Sequence, residues 1–329
     1  MRVDAILQLV FPLGKRAWDI LHPGPVTLAR KVRRLLRLVL SLAMAAAACA
    51  ADPAKVIVLG SGTPIPDPSA SGPCVAVVVN GHAYLFDAGP GVVRRAQAAA
   101  EKFGIAALDA TNLTRLFITH LHSDHTLGYP DLMLTAWVVG RRQPLEVFGP
   151  IGLAAMTEHL KEAYAADIKV RTEGPESLRA LTVNVHEIPA AGPVYRDANI
   201  TVRAIAVPHG TWPQAFGYAM DAAGRSIVIS GDTAPSDAIL EACHECDVLV
   251  HEVYSADRFD VVFRGRGEYH STFHTSTRQL ADLASKAKPK LLVLYHQLYF
   301  GPPDKVDLEK EIRRTYKGPV INGQDLIVY

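Results

Sequence analysis

The chain has 329 residues, of which 49% are hydrophobic and 20% charged, a composition typical of a globular protein and unlike that of a fibre or a disordered segment. The first 50 residues hold eight of the 34 Lys and Arg residues and two of the 33 Asp and Glu residues. The remainder therefore carries 26 basic and 31 acidic residues, a net charge of −5. Binding that neutralises many phosphates needs a basic face, so this balance argues against nucleic acid as a partner.

The amino-terminal segment has the layout of a secretory signal peptide. Five Lys and Arg residues within 30–37 precede an uncharged run, 38–50, that ends in Ala-Cys-Ala. This run is shorter than the ~20 apolar residues needed to cross a bilayer. We therefore predict a leader over 1–50, a single domain over 51–329, a periplasmic or secreted location, and no stable membrane span after cleavage. The alternatives are a membrane anchor, lipidation at Cys49 and a start codon assigned too early.

Apolar runs rich in β-branched residues alternate with helical patterns along the rest of the chain. The predicted strands are 55–59, 74–79, 82–86, 116–119, 145–148, 183–188, 200–206, 248–253 and 291–295, with a further hairpin over 216–230; the predicted helices are 91–103, 236–244 and 275–286. Tight turns are predicted at Asn80-Gly81 and Ala223-Gly224, and 254–273 is predicted to be a loop. Each half begins with hairpins and continues with alternating strands and helices. This order favours an α/β (α+β) fold in which two sheets pack face to face with helices outside.

Three cysteines follow the predicted leader, namely Cys74, Cys243 and Cys246. Three cysteines cannot all pair within one chain, so a disulfide framework does not organise the fold. The spacing of Cys243 and Cys246 is that of half a zinc site or a redox pair, yet no second pair completes a four-ligand site. We expect small buried side chains at the end of a helix, with a local disulfide as the main alternative in an exported protein.

The segment 119–125 contains three histidines and one aspartate directly after a predicted strand. Imidazole nitrogens and carboxylate oxygens suit Zn²⁺, Mn²⁺ or Fe, and four such groups in one loop can serve two ions when distant ligands complete the coordination. Three more candidate ligands, His209, Asp232 and His296, follow or end other predicted strands. The pattern therefore predicts a binuclear metal centre at one edge of the sheets.

Six short motifs resemble, in type and order, those of the metallo-β-lactamase superfamily of binuclear hydrolases. They are LGSGTP (59–64), FDAG (86–89), THLHSDH (119–125), VPHG (207–210), SGDT (230–233) and LYHQ (294–297). The resemblance covers essentially the whole chain after the leader. The first motif, His251-Glu252 and His274-Thr275-Ser276 make the chain most similar to the branch that contains ribonuclease Z and related arylsulfatases. This resemblance implies an αββα sandwich with its active site along one edge of the sheets.

The resemblance also implies seven metal ligands in two groups that share one carboxylate: His120, His122 and His209 for one ion, Asp124, His125 and His296 for the other, and Asp232 between them. The cofactors would be two divalent cations, zinc first, with manganese or iron as alternatives. A water between the two ions would lose a proton and act as the nucleophile, with Asp124 as proton acceptor or orienting group. Asp87 matches a carboxylate that orients a ligand histidine; a turn aspartate is the alternative.

Glu252 and His274 match the pair that delivers a proton to the leaving group. A carboxylate beside an imidazole is expected to raise the pKa of the imidazole, so that His274 could protonate a phenolate or alkoxide. His270 has a similar local sequence and is the alternative. We favour His274 because the predicted helix follows it at the expected offset. Trp212, which follows a predicted ligand, is a candidate for a pocket that takes an aromatic group, with a packing role as the alternative.

The expected function is that of an exported, arylsulfatase-like hydrolase of a small anionic sulfate or phosphate ester. The alternatives are a periplasmic phosphodiesterase and a ribonuclease Z-type endonuclease. Ribonuclease Z acts on cytoplasmic transfer RNA precursors through a Gly- and Pro-rich arm, whereas this chain has a predicted leader and an acidic segment over 150–209. We therefore expect no nucleic-acid partner, and a homodimer stays open. A lactone or lactam hydrolase and a non-catalytic metal-binding protein are less favoured, because Glu252, His274 and all seven ligands are present.

Overall fold

A computed structural model of the protein describes residues 54–174, 178–264 and 268–329. The predicted leader lies outside these residues, so its cleavage, the lipidation of Cys49 and a domain starting at residue 51 stay predictions. Over the described part of the chain, none of the helices combines the length and apolar character required to cross a membrane.

The first sheet has seven strands. In chain order they are β1 (Lys55–Gly60), β2 (Cys74–Val79), β3 (His82–Phe86), β4 (Arg115–Phe117), β5 (Leu145–Pro150), β6 (Val183–Ile188) and β14 (Ile327–Val328). Their spatial order is β14-β1-β2-β3-β4-β5-β6. Pairing is antiparallel from β14 to β3 and parallel from β3 to β6, so the carboxyl ends of β3, β4 and β5 meet at one edge.

The second sheet mirrors this arrangement. Its strands are β7 (Gly192–Arg196), β8 (Ile200–Ala206), β9 (Phe216–Ala222), β10 (Arg225–Ile229), β11 (Val248–Tyr254), β12 (Leu292–Leu298) and β13 (Val320–Asn322). The spatial order is β13-β12-β11-β10-β9-β8-β7, antiparallel from β7 to β10 and parallel from β10 to β13. Both predicted two-residue turns are confirmed, since Asn80, Gly81, Ala223 and Gly224 all have the positive φ that such hairpins require.

Helices cover the outer faces of the two sheets. They are α1 (Val92–Phe103), α2 (Ser123–Thr126), α3 (Tyr129–Val138), α4 (Leu153–Ala163), α5 (Ala165–Thr172), α6 (Leu178–Leu181), α7 (Asp237–Ala242), α8 (Ala256–Phe263), α9 (Glu268–Phe273), α10 (Thr277–Ala287) and α11 (Leu308–Ile312). The expected loop over 254–273 is wrong, because α8 and α9 occupy it. Ser255 caps α8 and accepts a hydrogen bond from the Arg258 N–H, while Phe259 and Phe263, one turn apart, pack against Phe300.

Three apolar clusters hold the layers together. Between the sheets, the Phe117 ring stacks on Phe86 and Phe148 at centroid distances of 5.0 and 4.9 Å, and Tyr218 packs against it from the second sheet. On each outer face, a second cluster joins a sheet to its helices. Residues alternate along a strand, so Leu116 faces the helices while Phe117 faces the other sheet. The predicted αββα sandwich is confirmed.

Cys243 and Cys246 are buried where α7 ends, and they form a disulfide. The prediction of small buried side chains at the end of a helix is therefore confirmed. The alternative, a local disulfide, is present at the same place. Cys74 is buried and unpaired. Among the described residues, the disulfide thus links one short turn and does not cross-link distant parts of the sandwich.

Candidate metal centre

The predicted site residues meet at the edge of the sandwich where the parallel strands end. The segment 119–125 follows β4, Asp87 follows β3, and Asp232 follows β10. His209 follows β8, and His296 lies within β12 close to its carboxyl end. Carboxyl ends of parallel strands are where open sheets place their ligand sites. The structure brings the predicted residues together at one such edge.

The first group of predicted ligands consists of His120, His122 and His209. His120 Nε2 lies 2.9 Å from His122 Nδ1, and His209 Nε2 lies 3.2 Å from the same atom. Together with a carboxylate oxygen of Asp232, their ligand atoms all lie within 4.8 Å of one another. Nitrogens at these distances share a proton or a cation, so this is the geometry of a metal site.

The second group consists of Asp124, His125 and His296. Asp124 Oδ2 lies 3.5 Å from His125 Nε2 and 3.2 Å from His296 Nε2. Asp232 Oδ2 lies 3.4 Å from the same two nitrogens and 3.9 Å from His120 Nε2 of the first group. Asp232 therefore stands between the two groups, in the position that a bridging carboxylate requires.

Hydrogen bonds on the opposite ring nitrogens orient three of these histidines. Asp87 Oδ2 accepts from His125 Nδ1 at 2.8 Å, and the Phe273 carbonyl oxygen accepts from His209 Nδ1 at 2.8 Å. His120 Nδ1 lies 2.9 Å from the Thr119 hydroxyl. In each case the remaining nitrogen is turned into the site, which is how proteins orient metal-binding imidazoles.

Asp87 is itself fixed in place. Its carboxylate accepts from the Thr119 N–H at 2.8 Å and from the Thr119 hydroxyl at 2.9 Å, and its backbone has a φ of +63°. The side chain is almost completely buried. The structure thus places Asp87 where an orienting carboxylate belongs, in contact with a predicted ligand.

The protonation states favour cation binding. Burial lowers the pKa of His209 to about 4 and that of His120 well below its usual range, so both imidazoles are neutral at pH 7. Burial alone would raise the pKa of Asp232, but the nearby His296 and His125 hold it well below its usual range. His125 is the exception. Burial opposes its charged form, yet Asp232 and Asp87 raise its pKa well above the ordinary value, so it must release a proton when a metal binds.

Two buried polar atoms at the centre test whether cations fit. His125 Nε2 and Asp232 Oδ1 have no hydrogen-bond partner within the described part of the chain. A buried polar atom without a partner costs roughly 1–3 kcal/mol, and such atoms call for an explanation. Bound divalent metal ions would satisfy both atoms, so the donor set fits them.

Glu252 and His274 lie beside the metal ligands. Glu252 Oε2 is 3.4 Å from His274 Nδ1, and His274 Nδ1 is 3.9 Å from Asp232 Oδ2. The expected electrostatics differ from what the structure shows. Burial lowers the pKa of His274, while burial and the charge of Asp232 raise the pKa of Glu252 well above its usual value. Both shifts favour the uncharged forms, a protonated carboxyl group beside a neutral imidazole.

His270, the alternative to His274, faces a different environment. Its ring lies 5.0 Å from each of the Phe263 and Phe300 rings and 6.3 Å from that of His274. No ion pair or hydrogen bond joins it to a predicted ligand among the contacts of the described residues, whereas His274 contacts the Asp232 carboxylate. The geometry thus supports the choice of His274.

Glu311 is a buried carboxylate that the sequence reasoning missed. It accepts from the Ser255 hydroxyl and the Thr277 hydroxyl, both at 2.6 Å, and from the Ala256 N–H at 3.0 Å. Ser255 follows the strand that carries Glu252, and Thr277 follows the segment that carries His274. Glu311 therefore joins the two segments of the acid pair. A detectable signal was its position beside Ile312 and one turn after Leu308, on the apolar face of α11.

Asp325 was also missed, and it fixes the glycine-rich loop that follows β1. Its carboxylate accepts from the N–H groups of Ser61 and Ser71, both at 2.8 Å, and pairs with Arg95 at 3.1 Å. The Ser61 carbonyl oxygen in turn accepts from the Gln297 N–H, directly after a predicted ligand. This loop is thus connected to the edge of the metal centre.

Comparisons with known proteins agree with this architecture. The sequence profile of the Beta-lactamase superfamily domain matches residues 82–297. Ribonuclease Z of Mycobacterium bovis (strain BCG / Pasteur 1173P2) is 31% identical over 277 residues, which cover 83% of this chain and 96% of that protein. Human tRNase Z, short form, superimposes with a TM-score of 0.62 at 23% identity, over 84% of this chain and 98% of that one. YhfI of Bacillus subtilis, a metallo-β-lactamase fold protein, superimposes with a TM-score of 0.63 at 20% identity, over 84% of this chain and 99% of that one.

These relatives correct two expectations. The arylsulfatase-like activity on a small anionic ester and the absence of a nucleic-acid partner are both wrong, because the similar curated proteins are ribonucleases Z. The acidic segment 150–209 misled because its acidic residues were considered without the basic residues of the same segment. Glu158 pairs with Lys161 at 2.8 Å and Asp167 with Arg171 at 2.9 Å, so part of that charge is neutralised locally.

The matched segment contains all seven predicted ligands as well as Asp87, Glu252 and His274. It covers most of both sheets and the edge at which these residues meet. The family match, the fold and the donor set agree with one another. The chain belongs to the metallo-β-lactamase superfamily and is a metal-dependent hydrolase.

Proposed function

We propose that this protein is a ribonuclease Z-type endonuclease that hydrolyses a phosphodiester bond in transfer RNA precursors. The observation that carries the proposal is that Glu252 and His274 lie together beside the cluster of predicted metal ligands, in a chain that is 31% identical to a ribonuclease Z over 277 residues. The leaving group of an RNA phosphodiester is a ribose alkoxide, which requires a proton as it departs. A proton donor next to the centre matches that requirement.

We further propose that the centre takes two divalent cations, preferably zinc. His120, His122 and His209 would hold one, Asp124, His125 and His296 the other, and Asp232 both. When bound, such a pair activates water and neutralises charge on the phosphoryl oxygens. His120, His122, His209, Asp124, His125, His296 and Asp232 would thus hold the positive charge that binds a phosphate, and a basic patch would not be required there.

The residues of this chain then divide the proton transfers. Hydrolysis forms one bond between phosphorus and a water oxygen and breaks the bond between phosphorus and the leaving oxygen. Asp124, buried at the second group of ligands, is placed to accept or orient the proton that the water loses. His274 donates a proton to the leaving oxygen, and Glu252, whose pKa is raised, returns one to the imidazole.

The direct test is a cleavage assay on a transfer RNA precursor with a 3′ trailer, using purified protein whose zinc content has been counted. We expect a single cut that releases the trailer and that disappears in the Asp232→Ala variant. A mature transfer RNA and an unstructured RNA of equal length serve as controls. Protein that carries two metals per chain and hydrolyses bis-p-nitrophenyl phosphate, yet leaves the precursor intact, would overturn the proposal.

A further inference from the structure

An apolar cavity of about 490 Å³ opens beside the metal centre. Its wall consists of Leu121, Pro150, Ile151, Trp212, Pro213 and Gln214. Leu121 lies between two predicted ligands in sequence, and Trp212 follows His209 by three residues. The cavity wall therefore belongs to the same loops that position the metal ligands.

Trp212 contacts the metal ligands as well as the cavity. Its indole stacks on the His122 ring, with the centroids 4.6 Å apart and the planes at 23°, and meets the His120 ring edge-on at 6.1 Å. The backbone N–H of Trp212 donates to the His209 carbonyl oxygen at 3.0 Å. Trp212 is thus held by three predicted ligands of the first group, and a molecule in the cavity would be positioned relative to them.

The chemistry of the wall restricts what the cavity can bind. No charged side chain is present among the described residues that line it. The amide of Gln214 is already engaged, since its Oε1 accepts from the Ile151 N–H at 2.9 Å and its Nε2 donates to the Pro189 carbonyl oxygen at 3.1 Å. Ile151 is 61% exposed and offers an aliphatic edge at the entrance. The cavity therefore suits a flat, uncharged group and does not suit a phosphate.

We propose that this cavity, the Trp212 subsite, binds the base of a nucleotide that flanks the scissile phosphate, through stacking on the indole. The inference rests on the proposed function, because it identifies the group next to the phosphate that is cut. Every base has a π face, so stacking on an aromatic side chain holds a base without reading its identity. The Trp212 subsite thus fixes the position of the substrate backbone and tolerates different sequences.

The experiment compares three variants on precursor RNAs that lack one base. Trp212→Leu removes the ring, Trp212→Phe keeps an aromatic face, and Val139→Ala alters an exposed apolar side chain at the end of α3, near the amino end of β5 and away from the centre. The substrates are the intact precursor and two precursors with an abasic nucleotide immediately before or after the scissile phosphate. Metal content per chain is measured for every variant.

For the unaltered protein, we expect one of the two abasic substitutions to slow cleavage about tenfold, the order of magnitude of a lost base stack. Trp212→Leu should slow cleavage of the intact RNA by a similar factor and show no further loss on that abasic substrate. Trp212→Phe should keep most of the base dependence, and Val139→Ala should behave like the unaltered protein. The proposal is overturned if neither abasic substitution matters, or if base dependence survives unchanged in Trp212→Leu.

A second substrate pair separates this inference from the proposed function. Thymidine 5′-(p-nitrophenyl phosphate) and the same ester of the abasic sugar need no transfer RNA. A preference for the thymidine ester that Trp212→Leu abolishes, in protein that leaves precursor RNA intact, would support the subsite and reject the ribonuclease Z-type function. Precursor cleavage that is indifferent to both bases would support that function and reject the subsite.

Discussion

His274 Nδ1 lies 3.4 Å from Glu252 Oε2, and within the described part of the chain neither atom has a hydrogen-bond partner. The other oxygen, Glu252 Oε1, accepts from the Thr275 N–H at 2.8 Å. One carboxyl group thus anchors the backbone next to His274 and faces its ring. Because burial disfavours charge on both groups, it favours a protonated carboxyl group beside a neutral imidazole, the form from which the proposed mechanism delivers a proton.

The first prediction concerns proton delivery. His274→Ala should lower the rate on a substrate with an alkoxide leaving group by about 10² to 10⁴-fold, since that is what a positioned acid contributes. The loss should be much smaller on bis-p-nitrophenyl phosphate, because p-nitrophenolate departs without a proton. The measurement is kcat on both substrates. His270→Ala is the matched control and should change kcat on neither substrate. Equal losses of kcat on the two substrates in His274→Ala would reject His274 as the acid.

The second prediction concerns the bridging position. Asp232→Ala removes a carboxylate that lies near both ligand groups, so we expect fewer than two metals per chain and no measurable hydrolysis. Asp87→Asn should be milder, with metal affinity reduced by about 10 to 100-fold, because Asp87 acts on His125 and not on the ion. Mass spectrometry of metal content after dialysis distinguishes them. Two retained metals per chain in Asp232→Ala would contradict the assignment.

The third prediction concerns the disulfide between Cys243 and Cys246. The bond closes a very short loop, so in the chain-entropy description its removal should cost about 2 kcal/mol of unfolding free energy. Urea unfolding of a double alanine variant, with Cys74→Ala as control, measures this cost. Alkylation of intact cells before lysis reports whether the pair is oxidised in place. Two free thiols in that assay would weigh against the predicted export and would agree with the proposed action on transfer RNA precursors, since disulfides persist in oxidising compartments.

The fourth prediction concerns the dependence of stability on pH. Asp197 accepts from the hydroxyls of Tyr84 and Tyr195 at 2.6 and 2.9 Å and from the Asn199 N–H at 2.8 Å. Burial acts to raise its pKa, but these hydrogen bonds outweigh burial and lower the pKa below its usual value. The folded state therefore favours the ionised form, and the resulting stability is present above the unfolded pKa of about 3.9 and is lost as the pH falls through the folded pKa.

Asp197→Asn tests this network. It should reduce the unfolding free energy by about 1 kcal/mol at pH 7, where the charge strengthens the hydrogen bonds. The difference from the unaltered protein should shrink as the pH falls below about 4 and through the lowered folded pKa of Asp197, because the carboxylate is then protonated in the folded state as well as in the unfolded state. Urea unfolding at several pH values measures the difference in unfolding free energy at pH 7 and its change at low pH. A difference that stays constant down to pH 3 would show that the ionised carboxylate contributes nothing.

Strands whose signals were local could be predicted from the sequence. The bounds of β2, β3, β6 and β8 match the prediction, because the apolar pattern of a strand and an Asn-Gly turn both depend only on residues that are close in sequence. The edge strand β7 was not predicted, since it begins Gly-Pro and buries none of its side chains completely. Helices α8 and α9 were not predicted, because the arginines and glycines around them are typical of a loop. The helical signal was limited to short pairs of aromatic residues such as Phe259 and Phe263, one turn apart.

The candidate metal ligands could be predicted for a similar reason, because four of them lie within 119–125 and the others follow or end apolar runs. The contacts of Glu311 and Asp325 could not be predicted, since their partners lie far away in sequence. The apolar face of α11 indicates that Glu311 is buried, but it does not indicate which groups Glu311 contacts. The sequence analysis argued against the nucleic-acid substrate that is proposed above because a net charge sums over the chain. It contains no information about which charges are paired, or about the charge that bound cations add at the centre.

The pairing of β14 with β1 has a consequence for the order in which the protein can fold. Asp325 and Ser61 are separated by 264 residues, and the glycine-rich loop depends on their contact. A chain that is still being synthesised presents β1 with one open edge until β14 has emerged. Formation of the first sheet at that edge is therefore a late event, and any process that delays the carboxyl-terminal segment prolongs the lifetime of an incomplete, association-prone intermediate.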